Sequence, residues 1–229
     1  MKSDTLTVNR HALLRFMNEG DKSANGHHSA MTAFLGEPLA AALVVHYLKR
    51  QGKNAEIVSW KVTPGTTKGR RLDVWIADGA GTLYQTEIKM WAGNAIGGLR
   101  LRPGLSQEEL SSLARKQWVE RLWNNKKGEF LTDAVGKVLE EMVPPAGFTS
   151  AQIQPLLCLW WLVQPTEEQG PWFQVPIRHD RFEEVNIFSL TAYLMSLSED
   201  TLGLHMPVVN ERLDWLRVLL PGWSTTEAK

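Results

Sequence analysis

The spacing of apolar and polar positions along this chain predicts an ordered series of elements. In residues 30–52, AMTAFLGEPLAAALVVHYLKRQG, apolar side chains fall at Leu35, Leu39, Ala42, Leu43 and Tyr47, the spacing of a helix face. Pro38 is expected either to open the main helix or to kink a longer one, and Gly52 to end it. Alternation in AEIVSWKVTPG predicts a strand from Glu56 to Val62. RRLDVWIA and TLYQTEIKMW read as two further strands around DGAG, a hairpin turn whose Gly79 and Gly81 tolerate positive φ.

After a glycine-rich stretch, AGNAIGGLRLRPG, Ser106 and Glu109 form a capping box that should open a helix running to about Asn125. TDAVGKVLEEMV predicts another helix, stopped at Pro144. The unbroken apolar run in IQPLLCLWWLVQ is that of a central strand covered on both faces. TVNRHALLRFMNEG near the start reads as a short amphipathic helix, WFQVPI as a short strand, and SLTAYLMSL and NERLDWLRVLL as closing helices. The order is helix, three strands, helix, strand and mostly helical additions, an α/β arrangement with helices on both faces of a mixed sheet.

Composition changes this picture in a few places. With 229 residues the default is one domain, and no stretch reaches the roughly 18 apolar residues of a membrane span, so a cytoplasmic protein is expected. The single cysteine, Cys158, lies in the predicted central strand and reads as core. With six scattered histidines and one cysteine a structural zinc site is not expected, and His27 and His28 lack a third ligand. The formal net charge of zero hides a gradient: residues 1–127 carry 19 basic and 11 acidic side chains, the remainder 6 and 14. A basic face is therefore compatible with a polyanionic partner.

The hairpin carries the chemistry. Glu87 and Lys89 stand two apart on one strand and so share a face. If opposed residues of the hairpin sum to 160, with Gly79, Ala80 and Gly81 as the loop, Asp73 lies opposite Glu87 and Arg71 opposite Lys89. If they sum to 159, Asp73 faces Thr86 and the cluster needs a bulge. The first register is the one expected, because a sheet face has little other use for an Asp, a Glu and a Lys. Two converging carboxylates repel unless a cation compensates. A hard divalent ion such as Mg²⁺ meets that need and can acidify a water, and a lysine beside it can stabilise charge on a phosphate.

These residues resemble the PD-(D/E)XK nucleases, the restriction-endonuclease-like superfamily. Asp73 matches the family's acidic residue on the second core strand, Glu87 and Lys89 in EIK match the motif on the third, and Glu37 in GEPLAA matches a helical glutamate. "LD" stands where the family has proline-aspartate. The resemblance implies an αβββαβ core over about residues 30–163 of a single 1–229 domain, with a C-terminal helical extension over about 180–222. It further implies that Asp73, Glu87 and the carbonyl of Ile88 hold Mg²⁺, with Mn²⁺ as a substitute. Lys89 would then assist the nucleophilic water, and Glu37 would act through a water or a second ion. The implied activity is phosphodiester hydrolysis, on DNA rather than RNA, in restriction, repair or phage defence. The alternative is a non-catalytic nucleic-acid-binding or assembly module on the same fold.

Around this centre, Lys116, Arg121, Arg70 and Arg71 are candidates for phosphate contacts, and Gln117 for orienting substrate or metal. Trp75 and Trp91 are expected to line the site, while Trp160, Trp161, Trp215 and Trp223 read as structural or oligomeric. The acidic, partly apolar C-terminal part is expected to offer a surface to a homodimer or protein partner.

Overall fold

The dominant element is a helix that no proline was able to stop. The structure is a computed structural model describing residues 4–18, 27–60, 62–65, 70–89, 106, 108–109, 112–113, 116, 122–124, 126–131, 133–160 and 170–220. After strand β1 (Thr5–Asn9) and helix α1 (Arg10–Asn18), helix α2 runs from His27 to Arg50, with Pro38 inside it. Proline has no N–H for the carbonyl four residues back. Here that carbonyl, Phe34 O, accepts a hydrogen bond from the Arg212 guanidinium instead. The helix ends as predicted: Gly52 has φ of 78°, its N–H donates to Lys49 O, and Lys53 N–H donates to Leu48 O, a Schellman closure.

Three strands follow as an antiparallel meander: β2 (Glu56–Ser59), β4 (Val74–Ala77) and β5 (Thr82–Lys89), with the short β3 (Thr63–Pro64) between the first two. β2 is shorter than the predicted strand because its register with β4 shifts between Ile57 and Ser59, and Val62 returns only as an isolated bridge to Leu72. Next come β6 (Trp123–Asn124), β7 (Glu129–Phe130), α3 (Asp133–Gly136), a 3₁₀ turn (Lys137–Leu139), β8 (Met142–Val143) and the eight-residue β9 (Gln152–Leu159). The chain continues through β10 (Trp172–Pro176), β11 (Glu184–Ser189), α4 (Leu190–Ser196), β12 (Thr201–His205) and α5 (Pro207–Leu219).

One six-stranded mixed sheet organises these elements, in the order β10-β11-β9-β5-β4-β2. β9 pairs parallel with both β5 and β11, and β10 and the β2–β4 edge run antiparallel to their neighbours. The central position of β9 explains its continuous apolar run: Leu156, Leu157, Cys158 and Leu159 are all fully buried, and burial pushes the Cys158 thiol up, away from reactivity. On one face α2 buries Leu39, Ala40, Leu43 and Val44; Tyr47 of α2 stacks on Trp172, which meets Tyr84 edge-on. No helix among the described residues is long and apolar enough to cross a membrane.

The structure departs from the sequence reading in four segments: Thr7–Asn9, read as the start of a helix, lie in β1, and Trp123–Asn124, read as the end of the helix opened at Ser106, form β6 and pair with β7. The helix expected over TDAVGKVLEEMV is only one turn of α-helix and one of 3₁₀, and Met142–Val143 pair with Thr63–Pro64. The expected helical extension over 180–222 is mixed, since β11 joins the main sheet and β12 pairs with β1. At β1, β8, β11 and β12 long-range partners override local preference.

The hairpin loop is held by Asp78, which is fully buried and accepts hydrogen bonds from Ala80 N at 2.8 Å, Thr82 N at 3.0 Å and Lys53 Nζ at 3.2 Å. Burial alone would raise its pKa, but these donors together outweigh it and hold the carboxyl below the ordinary 3.8. A depressed carboxylate stabilises the fold above its unfolded pKa and loses that contribution as pH falls through the folded value. Asp78→Ala should therefore cost about 2 kcal/mol near neutrality, by leaving buried donors unmatched. Urea titrations of both proteins should show the gap narrowing only below about pH 4.

Candidate active site

Opposed residues of the β4–β5 hairpin sum to 160: Val74 faces Thr86, Trp75 faces Gln85, Ile76 faces Tyr84 and Ala77 faces Leu83. Gly79, Ala80 and Gly81 form the loop, with φ of 73° at Gly79 and 104° at Gly81. Gln85, Glu87 and Lys89 therefore alternate onto one face of β5. The regular ladder ends at Val74, so neither the expected opposition of Asp73 and Glu87 nor that of Arg71 and Lys89 forms as a ladder pair; Leu72 bridges to Val62 instead. Asp73 sits in a bend past that end. Its N–H donates to Thr86 O at 3.2 Å, and its carboxylate Oδ2 accepts the Ile88 N–H at 2.6 Å. In a strand a residue's N–H and C=O point to the same side, so the Ile88 carbonyl is directed toward Asp73 as well.

Glu87 is 1% exposed and lies between two lysines. Lys89 Nζ hydrogen-bonds Glu87 Oε1, and Lys137 Nζ is 2.8 Å from Glu87 Oε2. Lys137 also donates to Arg71 O at 3.0 Å. The turn carrying Lys137 is fastened to β5 by the buried Gln85, whose amide donates to Val138 O and, at 3.0 Å, to Glu140 O. Burial first, and then the charge of Asp73, raise the Glu87 pKa above 4.5, against the lowering effect of both lysines.

Glu37 stands at the mouth of this cluster. Its pKa is raised by partial desolvation and then by Asp73, while Arg212, Lys137 and Lys89 pull it down. Glu37, Asp73, Glu87, Lys89 and Lys137 thus share one electrostatic neighbourhood, at the end of the sheet where α2, β4, β5 and the 3₁₀ turn meet. Comparison with protein-family models, curated proteins and solved structures gives no match. The reading of this site rests on its own geometry.

The donor set is all oxygen, which suits Mg²⁺ or Mn²⁺. Among the described residues no three acidic, histidine or cysteine side chains already stand at ion-holding distances, since Glu87 is turned to its lysines. Each carboxylate oxygen nevertheless keeps a second lone pair, so an ammonium and an ion can share one carboxylate. Asp73, Glu87 and the Ile88 carbonyl offer the oxygen chemistry that such an ion takes.

Of the residues expected around the centre, Arg70 is exposed, but its Nε bonds Glu140 at 3.0 Å, which compensates part of its charge. Arg71 is exposed beside the cluster. Ser106 and Glu109 form the predicted capping box, with Ser106 N–H on the glutamate at 2.7 Å and Glu109 N–H on the serine hydroxyl at 3.2 Å. Lys116 is exposed. Gln117, Arg121, Trp91, Trp161 and Trp223 lie outside the described residues, as do the side chains of His27 and His28. Trp75 is 1% exposed, so it supports the site from the core and offers no face to a base. Trp160 is fully buried, and Trp215 is 61% exposed on α5 beside exposed Val218 and Leu219. Sequence reasoning missed Lys137, Gln85 and Arg212. For Lys137 the only signal was its rarity, one of 6 basic residues after position 127.

Proposed function

We propose that this protein is a metal-dependent nuclease that hydrolyses phosphodiester bonds in nucleic acid, with DNA as the expected substrate. One observation carries the reading. The hairpin register and the Asp73–Ile88 hydrogen bond bring two carboxylates and Lys89 to one place at the open end of the sheet. The chain order of α2, the β2-β4-β5 meander, a helix opened at Ser106 and β9 parallel to β5 supports a restriction-endonuclease-like core of the PD-(D/E)XK kind.

In this reading Asp73, Glu87 and the Ile88 carbonyl hold Mg²⁺ or Mn²⁺. The bound ion supplies Lewis acidity toward a phosphoryl oxygen and a more acidic water. The Ile88 N–H holds Asp73 through Oδ2, next to the strand that carries Glu87 and Lys89. Lys89, 21% exposed, can lean from Glu87 toward solvent, orient the water and stabilise the charge that develops on phosphate. Arg71 and Lys116 draw the backbone of the nucleic acid by charge. Exposed Trp215 and its apolar neighbours on α5 support a surface for a second copy or a protein partner.

A second reading is a non-catalytic nucleic-acid-binding module. It is favoured by the fact that Glu87 already has an ammonium beside each oxygen, so that its charge is compensated without an ion. One experiment separates the two: single- and double-stranded DNA and RNA incubated with the protein, with and without Mg²⁺ or Mn²⁺, alongside calorimetric titration of each ion. Ion binding with ion-dependent cleavage supports the nuclease, whereas nucleic-acid binding with neither leaves the module.

A further inference from the structure

Pro38 leaves Phe34 O without the N–H that a regular helix would supply, and Arg212 of α5 takes its place. A helix carbonyl points toward the residue four positions on, so the guanidinium on Phe34 O stands at the level of Glu37 and Pro38. Phe34 and Glu37, three residues apart, also share a helix face. The same guanidinium lies 5.9 Å from the centre of the Phe34 ring. Only Nη1 is engaged by Phe34 O; the other N–H groups of Arg212 have no hydrogen-bond partner among the described residues, and the side chain is half-buried.

An arginine held in this way differs from a loose surface cation. The carbonyl and the ring fix its guanidinium before any ligand arrives, which lowers the ordering cost of a hydrogen-bonded clamp. Its place is at the mouth of the site. Of the cations that lower the Glu37 pKa, Arg212 acts most strongly, ahead of Lys137 and Lys89, whereas Glu87 is governed by the two lysines. Arg212 therefore stands on the α2 side, outside the cluster of Asp73, Glu87 and their lysines. Its chemistry selects one class of ligand. The guanidinium keeps its charge, and its planar fork of N–H groups matches two oxygens of a phosphate. An apolar ligand would leave those donors unmatched.

We propose that Arg212 binds a backbone phosphate of nucleic acid beside Glu37, on the α2 side of the site, with Phe34 O as its seat. This rests on the reading of the site as one that receives nucleic acid. It adds a substrate contact that does not depend on a metal ion.

The test measures binding of short single- and double-stranded DNA and RNA oligonucleotides over a range of salt concentrations, in EDTA and again in Ca²⁺. Arg212→Gln keeps an N–H donor for Phe34 O and removes the charge. It is expected to bind at least about tenfold more weakly. The slope of log K against log salt should become shallower by about 0.7–0.9, the value for a single phosphate contact. Arg217→Gln, on the same helix and already paired with Asp214, is the control and should change neither. Unchanged affinity and slope in Arg212→Gln overturns the proposal, and so does an equal loss in Arg217→Gln. A lower melting temperature with an unchanged slope would mark Arg212 as purely structural and overturns it too. Should Arg212→Gln fail to fold, the unaltered chain decides: nucleic acid should protect Arg212 from phenylglyoxal, and equal modification with and without it overturns the proposal. A shallower slope in a protein that cleaves nothing keeps this inference and removes the nuclease reading, whereas absence of nucleic-acid binding removes both.

Discussion

Asp73→Asn is expected to abolish ion-dependent cleavage, and Lys89→Met to slow it by about 100- to 1,000-fold while leaving ion binding in place. The two variants are chosen to spare the fold. Asparagine keeps a carbonyl oxygen for the Ile88 N–H, so the bend after β4 holds, but it removes the negative charge that a hard cation requires. Methionine keeps the length of the Lys89 stem, and Glu87 retains Lys137 as a partner, which limits the cost of unpairing a buried carboxylate. Melting curves should therefore stay close to that of the unaltered protein in both cases. Cleavage by either variant at the unaltered rate would remove Asp73 or Lys89 from the chemistry. Loss of Mn²⁺ binding in Asp73→Asn but not in Lys89→Met would assign the ion to the carboxylate and the water or phosphate to the lysine.

The second large effect lies in the turn that sets the register. Gly79 has φ of 73°, and a Cβ there would stand 2.5 Å from Asn54 O, a backbone atom that cannot swing away. Gly79→Ala adds a left-handed penalty of about 1–2 kcal/mol to an overpacking penalty of about 1–3 kcal/mol. In a chain of this length the melting temperature should fall by roughly 4–20 °C. Gly81 is the internal control: its φ is 104°, but a Cβ there would meet nothing within 4 Å, so Gly81→Ala keeps only the backbone penalty. Equal losses in the two variants, measured by thermal unfolding, would mean that Asn54 yields to the added methyl.

The hairpin was legible because its information is local. DGAG fixes the loop, a three-residue loop fixes the sum of opposed residues, and period-two alternation fixes the face; the 160 register follows from residues within twenty positions of one another. The capping box at Ser106 and the glycine closure at Gly52 are local in the same sense. Lys137 was not legible, because its position depends on Gln85, a residue 52 positions earlier whose amide captures Val138 O. β11 was hidden for a similar reason: Val185, Ile187 and Phe188 make a short run that merges into the helix capped by Ser189, and only its pairing with β9 makes it a strand. Trp75 was placed on the correct face, but alternation says nothing about depth, and the 3₁₀ turn that covers that face comes from far along the chain.

Pro38 and Arg212 tie the two ends of the described chain together. The carbonyl that the proline cannot satisfy is a socket one turn from Glu37, and the guanidinium that fills it arrives 178 residues later. A nascent chain that has delivered the hairpin but not α5 thus carries Asp73 and Glu87 on their strands while the helix bearing Glu37 still has an unanswered acceptor at Phe34. α5 thus acts as a keystone for the first acid of the site.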